Sequence, residues 1–196
     1  MGPAHVTLRL RRGLPRLRTP RCYRVLERAF RAGKEKPGFG LCQFSVQDDH
    51  LHLIVEADGR RDLTRGMQGL VIRIAKALNR HWGGRHGSVF AERYFARALT
   101  KRNEIWRAMR YVLCNARKHG KWFSRTQPDP FSSGRWFTRW SNGSQIRRPL
   151  RDPPIRGSRD FLVSLILPIE IDAVPGTPTY GAWETTDTFE ELLARS

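Results

Sequence analysis

Two histidines stand two residues apart in an apolar segment of this sequence, residues 50–55 (HLHLIV). Side chains of a β-strand alternate between its two faces, so His50 and His52 project to the same side. Neutral imidazole is a common metal ligand, and two imidazoles on one strand face can share a divalent cation when a third ligand arrives from elsewhere. A His-x-His pair also occurs often by chance, so a second element has to supply the rest of the site.

A predicted helix near residue 110 offers that second element, because its apolar and polar side chains separate on a wheel at about 100° per residue. An accessible phenol with cations nearby and an amide one turn away suits attack on a phosphodiester. The alternatives are an exposed surface tyrosine at this position and Tyr94 as a rival nucleophile, although Tyr94 better fits core packing or base stacking. The apolar side consists of Ile105, Met109, Val112, Leu113 and Ala116, and the polar side of Glu104, Arg107, Tyr111, Asn115 and Lys118.

Hydrophobic periodicity predicts the elements that would position these residues. Their order, β-α-β-β-α-β-α, predicts an α+β fold. It is a ferredoxin-like split βαβ antiparallel sheet with helices on one face, an extra C-terminal helix that bears Tyr111, and an irregular tail. The predicted strands cover residues 5–12, 39–46, 50–56 and one strand or strand pair within 88–99, and the predicted helices run from Thr19-Pro20 to about Gly33, over 63–82 and over 103–118.

We expect two regions in the chain. Residues 1–120 form the domain that carries the histidines and Tyr111. Residues 121–196 form an irregular extension with tryptophan and proline and an acidic tail, and it packs partly on the core. Within this extension, residues 161–167 are predicted to be a short strand or a buried segment.

The charge of the chain points to a polyanionic partner. Lys plus Arg is 36 and Asp plus Glu is 18, a net charge of +18. Residues 1–125 carry 28 − 9 = +19 and residues 126–196 carry 8 − 9 = −1, so the basic field belongs to the region with the histidines. The usual polyanionic partner of a basic protein is nucleic acid, and arginine, the commoner base here, forks onto phosphate oxygens.

Cysteine usage and hydropathy indicate the cellular compartment in which the protein is expected to act. The three cysteines, Cys22, Cys42 and Cys114, have no CxxC spacing and are expected to be reduced and mostly buried. A run of eighteen apolar residues and a signal-peptide core are both lacking, so the chain is expected to be cytoplasmic, with no membrane contact.

The histidine strand and the tyrosine helix together resemble the HUH single-tyrosine transposases, specifically the REP-associated tyrosine transposases of the insertion-sequence-200-like superfamily. The resemblance covers much of residues 5–120, and the order and separation of its motifs make it specific. It departs from many relatives at position 116. In those relatives a proline follows the asparagine, whereas this chain has Ala116 there. The matching motifs are residues 5–9 (HVTLR), 49–55 (DHLHLIV), 89–95 (VFAERYF) and 110–120 (RYVLCNARKHG).

The resemblance implies the chemistry of the site. His50 and His52 would bind Mg²⁺ or Mn²⁺, with Asn115 as the third protein ligand, and Tyr111 would attack the scissile phosphate. The product would be a 5′-phosphotyrosine and a 3′-hydroxyl, and strand transfer would reverse the step. The implied activity is that of a metal-dependent transposase and nickase on single-stranded, hairpin-bearing DNA, acting as a monomer or homodimer.

Other side chains are interpreted more simply. His5 is expected to be an ordinary strand residue, and Glu56 is a possible ligand that is more often solvated. A non-catalytic, domesticated DNA hairpin-binding protein is the alternative function. The basic residues expected to follow the DNA phosphates are Arg9, Arg11, Arg12, Arg93, Arg97, Arg107 and Lys118.

Overall fold

The structure of the protein is a computed structural model that describes residues 2–118, 120, 124, 127–141, 146, 149–157 and 169. The described residues form β-strands, α-helices and one 3₁₀ helix. In chain order these are β1 (Gly2–Arg9), α1 (Pro20–Gly33), β2 (Glu35–Lys36), β3 (Phe39–Val46), β4 (His50–Ala57), α2 (Arg60–His81), β5 (Phe95–Ala98), α3 (Arg102–Lys118) and the 3₁₀ helix Ser133–Trp136.

The strands form one antiparallel sheet in the order β2-β3-β4-β1-β5. The predicted α+β class and the predicted order of elements are confirmed, with the two-residue β2 as an addition. In this topology β1 lies between β4 and β5, so the N-terminal strand is the direct neighbour of the histidine strand. Its ladder with β4 pairs Thr7 with His52 and Arg9 with His50.

The segment 88–99 is less regular than predicted, because only Phe95–Ala98 is a strand. Thr7 pairs with Phe95, so an unbroken antiparallel ladder would pair Leu10 with Glu92. Leu10 instead forms an isolated bridge with Phe90, so the chain accommodates two additional residues between bridge and ladder. Such an insertion interrupts a strand and bends it, so β5 begins only at Phe95.

Helices cover both faces of the sheet. α1 and α2 pack on the face that carries Leu51, Leu53 and Val55, and with them they form the larger hydrophobic core. α3 packs on the other face, where Ile54 joins a smaller core. Because His50 and His52 share the face of Ile54, the strand alternation places both histidines on the side of α3.

Local sequence explains how the first two helices sit. Thr19 caps α1 by accepting a hydrogen bond from the Cys22 backbone N–H, and Pro20 occupies the first turn, as predicted. On α2, a Cβ at Gly66 would overlap the ring of Phe39 in β3. The absence of a side chain at Gly66 therefore lets this helix lie close against the sheet.

Residues after α3 cover the outer edge of β3. β2 pairs only with Phe39 and Gly40, so the rest of that edge needs other partners. The Val46 N–H donates to the Phe131 carbonyl over 2.9 Å, and the Phe44 N–H donates to the Ser133 hydroxyl over 2.9 Å. An edge covered in this way no longer presents unpaired backbone groups to another chain.

A buried ion pair fixes this cover to the rest of the domain. The Arg18 guanidinium binds both carboxylate oxygens of Asp129, at 2.7 and 2.8 Å, and also donates to the Val46 carbonyl over 2.9 Å. The side chains of Arg18 and Asp129 are only 7% and 2% exposed. Because this pair is bidentate and buried, loss of one partner would leave the other charge buried and uncompensated, which does not happen in a surface salt bridge.

Replacement of Arg18 by methionine is expected to destabilise the protein strongly, because it leaves the Asp129 carboxylate buried without its guanidinium. The expected loss is about 3–5 kcal/mol of unfolding free energy, measured by urea denaturation. The matched control is Lys34→Met, which removes the partner of Asp152, a carboxylate that is 64% exposed, and should cost less than about 1 kcal/mol. Equal effects of the two substitutions would contradict a structural role for the buried pair.

Candidate active site

The two histidines of β4 present their Nε2 atoms to each other at 3.0 Å. The rings stand nearly perpendicular, with an interplanar angle of 83° and centroids 4.6 Å apart. Adjacent ligands of an octahedral cation with bonds of about 2.1 Å lie roughly 3.0 Å from each other. The two Nε2 atoms are therefore spaced as neighbouring ligands of one small divalent ion.

The first of the two rings, His50, is oriented by its sequence neighbour. Its Nδ1 lies 2.7 Å from Oδ1 of Asp49. This hydrogen bond with His50 lowers the pKa of Asp49 below its ordinary value, against the opposing effect of partial burial. A proton held on Nδ1 leaves the lone pair of His50 on Nε2, which is the tautomer that a metal ligand needs. This role of Asp49 was not predicted from the sequence, although its adjacency to His50 was the available signal.

The second ring, His52, is buried and has β1 as its neighbour. Its Nδ1 lies 3.2 Å from Nε2 of His5 and 3.3 Å from the hydroxyl oxygen of Thr7. His5, expected to be an ordinary strand residue, is therefore part of the site. Burial, with a smaller contribution from Arg97, lowers the pKa of His5 to about 4. His5 is neutral at physiological pH for that reason.

Tyr111 on α3 brings its hydroxyl to 3.4 Å from Nε2 of His52. The phenol ring stands edge-on to His52 at 5.0 Å and to His5 at 5.8 Å between centroids. Tyr111 is half-buried, with its ring packed against the imidazoles and its hydroxyl directed at Nε2 of His52. One chain thus places the phenol of Tyr111 directly beside His52.

Asn115 lies one turn after Tyr111 and is buried, although the helical wheel places it on the polar side of α3. The wheel separated residues by polarity alone, whereas α3 packs closely enough on the sheet to enclose this position. Neither its amide nitrogen nor its amide oxygen has a hydrogen-bond partner among the described residues. A buried amide without partners is unusual, and a bound cation would satisfy its oxygen.

The apolar side of α3 agrees with the prediction, since all five of its members are buried. Of the polar side, Arg107 is exposed and Glu104 is half-buried, with its carboxylate accepting from the backbone N–H groups of Thr100 and Lys101. The side chain of Lys118 lies outside the described residues. The buried members are Ile105, Met109, Val112, Leu113 and Ala116.

Two other side chains considered from sequence do not join the site. Tyr94 packs against the larger core, on the α1 and α2 side of the sheet. Glu56 is buried and its carboxylate lies 2.7 Å from the Arg156 guanidinium, so it is engaged in an ion pair. Among the described residues, no cluster of three His, Cys, Asp or Glu side chains is placed to hold a metal ion. A metal at His50 and His52 would therefore need a ligand of another type, such as the Asn115 amide.

The arginines expected to contact DNA divide by exposure. Arg97 is half-buried and lies 3.3 Å from Glu104. Arg9, paired with His50 across the β1–β4 ladder, is exposed close to the candidate ligands. The remaining exposed members are Arg11, Arg12, Arg93 and Arg107.

Comparison with known proteins identifies the family. The model of the family described as IS200-like transposases matches residues 4–114, which include both histidines and Tyr111. The chain belongs to this family of DNA-processing transposases. No curated protein matches the sequence, and no helix in the described part of the chain is long and apolar enough to cross a membrane.

Two solved structures are similar to the chain. A REP-associated tyrosine transposase bound to a REP hairpin is 20% identical, with a TM-score of 0.52 over 67% of this chain and 76% of that one. A transposase of Deinococcus radiodurans R1 is 15% identical, with a TM-score of 0.41 over 62% of this chain and 92% of that one. The first comparison shows that the two proteins share a fold.

Proposed function

We propose that this chain is a metal-dependent transposase and nickase that cleaves and rejoins single-stranded, hairpin-bearing DNA through a 5′-phosphotyrosine at Tyr111. One observation supports this proposal most directly. The Tyr111 hydroxyl lies 3.4 Å from Nε2 of His52, which itself lies 3.0 Å from Nε2 of His50. A nucleophile beside two ligand atoms matches what cleavage of a phosphodiester needs.

The residues fit a divalent cation, Mg²⁺ or Mn²⁺. His50 and His52 would supply nitrogen ligands through Nε2, and Asn115 would supply the amide oxygen that has no partner among the described residues. The remaining positions would be left to water and to phosphate oxygens, as hard cations prefer. A cation bound there would polarise the scissile phosphate and stabilise the charge that develops on it.

The protein side chains then account for the covalent step. Tyr111 would attack phosphorus through its phenolic oxygen, forming the O–P bond while the bond from phosphorus to the 3′ oxygen breaks. The phenol gives up its proton as the O–P bond forms, and the leaving 3′ oxygen takes up one proton and becomes a hydroxyl, so the exchange consumes no net proton. Attack by another 3′-hydroxyl on the phosphotyrosine reverses the exchange and joins the strands. One phosphodiester is exchanged for another, so no nucleotide cofactor is required.

The proposed substrate follows from charge and from the similar structure. Residues 1–125 carry the whole positive excess, and the exposed arginines of this region, with Arg9 beside His50, could follow a phosphate backbone. The similar REP-associated tyrosine transposase is bound to a hairpin of REP DNA, so we propose a single-stranded substrate with a hairpin for this chain. It would act in the cytoplasm as a monomer or homodimer.

A labelled oligonucleotide tests this function. The full chain is incubated with single-stranded hairpin DNA carrying a fluorophore on either the 5′ or the 3′ end, with and without Mg²⁺, and resolved on a denaturing protein gel. Only the fragment on the 3′ side of the nick, which begins with the 5′-phosphate, is expected to travel with the protein. Adducts with the other fragment would contradict the polarity. Tight hairpin binding without an adduct would instead support the non-catalytic hairpin-binding protein.

A further inference from the structure

We propose that His5 is a positioning residue of the metal site, which accepts the Nδ1 proton of His52 and thereby keeps the lone pair of that ring on Nε2, toward the cation. The inference rests on the proposed function, since it takes His52 to be a ligand. No motif or residue spacing in the sequence identifies His5 as a positioning residue. It follows from the way β1 pairs with β4.

Binding of a cation through Nε2 determines the tautomer of each histidine. If both Nε2 atoms bind one cation, both ring protons must reside on Nδ1, and each Nδ1–H needs an acceptor. For His50 the acceptor is the Asp49 carboxylate at 2.7 Å. At Nδ1 of His52 lie two groups that can accept a proton, Nε2 of His5 at 3.2 Å and the Thr7 hydroxyl at 3.3 Å. The acceptors available to the buried ligand therefore both belong to β1.

Two observations favour His5 over Thr7 as the acceptor that matters. His5 is buried, whereas Thr7 is half-buried, so water can replace a hydroxyl at Thr7 more easily than an imidazole at His5. The His5 ring is also inclined by only 29° to the His52 ring, with centroids 5.2 Å apart, which suits a hydrogen bond close to the ring planes. A neutral imidazole retains one ring nitrogen with a lone pair, which can accept the proton.

The backbone fixes His5 in this position. Its Cα partners are Ile54 in β4 and Arg97 in β5, so β1 is held on both sides at this residue. His5 and Thr7 stand two residues apart and therefore share the face of His52. A side chain held this firmly next to a ligand can define the orientation of the ligand ring before any cation arrives.

The test measures metal binding without DNA and without turnover. Mn²⁺ is titrated into the full-length protein, and the unbound ion is followed by electron paramagnetic resonance. His5→Phe keeps an aromatic ring but removes the acceptor, and should weaken Mn²⁺ binding by roughly 10- to 100-fold. His5→Gln places an amide oxygen near the position of Nε2 and should bind Mn²⁺ almost as the wild type does. Thr7→Val should also remain close to wild type.

Comparison of His5→Asn with His5→Gln distinguishes loss of the hydrogen-bond acceptor from a simple loss of packing. His5→Asn carries the same amide as His5→Gln but is too short to reach His52, so only His5→Asn should lose affinity. Far-ultraviolet circular dichroism checks that each variant folds. The chain has six histidines, few enough for a ¹⁵N-histidine spectrum of the Mg²⁺-loaded protein to identify tautomers. His52 should be protonated on Nδ1 in the wild type and in His5→Gln.

The outcomes separate this inference from the proposed function. Weaker binding in His5→Phe and His5→Asn, with binding retained in His5→Gln, supports the positioning role. Unchanged affinity in His5→Phe, or equal losses in all three His5 variants, overturns it while leaving the metal site intact. If the wild type binds Mn²⁺ no better than His50→Ala and His52→Ala do, the metal site itself is wrong and both proposals fail.

Discussion

Replacement of Tyr111 by phenylalanine is expected to abolish the covalent protein–DNA adduct while DNA binding remains nearly unchanged. The substitution removes a single oxygen, the one that lies 3.4 Å from Nε2 of His52, and keeps the ring that packs against His5 and His52. Loss of the attacking atom of a covalent mechanism typically lowers the rate by on the order of 10³-fold or more. Adduct formation on a fluorescent hairpin oligonucleotide and affinity by fluorescence anisotropy measure the two effects separately.

Tyr94→Phe is the matched control for this prediction. It also removes one phenolic oxygen, but from a ring that packs against the core on the opposite side of the sheet, so it should leave the adduct yield close to that of the wild type. An undiminished adduct in Tyr111→Phe, or a loss confined to Tyr94→Phe, would assign the nucleophile to a different residue.

Removal of divalent metal should also eliminate nicking. A chelator such as EDTA is expected to stop the reaction, and added Mg²⁺ or Mn²⁺ is expected to restore it, because the cation stabilises the charge that develops on the phosphate. His52→Ala should stay inactive even after metal is added, since it loses both a ligand atom and the ring beside Tyr111. Asn115→Ala should need roughly 10- to 100-fold more metal to reach the same rate, in line with the effect of weakening a ligand set.

His81→Ala provides the control for the histidine substitutions. His81 lies at the exposed end of α2, on the helical layer across the sheet from Tyr111, so its loss should leave the metal requirement unchanged. Nicking that persists in excess chelator would rule out the role given to the cation. Equal metal requirements of Asn115→Ala and the wild type would remove Asn115 from the ligand set.

Much of the fold was predictable from sequence because hydrophobic periodicity reports which face of an element is buried. The alternation of β4 placed both histidines on one face, and the apolar side of α3 was identified residue by residue. Periodicity failed where the backbone departs from regular geometry. The segment 88–94 looks like a strand but contains the two-residue insertion that interrupts the ladder between Phe90 and Phe95.

The candidate site was predictable only in part, since its less obvious members depend on long-range pairing. The role of His5 follows from the β1–β4 register, which no local pattern encodes. The burial of Asn115 depends on how closely α3 approaches the sheet, and a helical wheel contains no such information. Residues 127–157 have no periodicity because hydrogen bonds and ion pairs, rather than an amphipathic face, hold their described part in place.

Because residues after α3 cover the edge of β3, the folded domain extends beyond the region that the family model matches. The matched region ends at residue 114, yet Asp129 and Ser133 lie beyond it and complete the sheet edge and the buried ion pair. A chain shortened to the matched region would expose backbone donors of β3 and leave the Arg18 guanidinium without its carboxylate. Such a fragment would be prone to pair edge to edge with other copies of itself. Inactivity of such a fragment would then reflect aggregation, so the chemistry of Tyr111 should be tested in the longer chain.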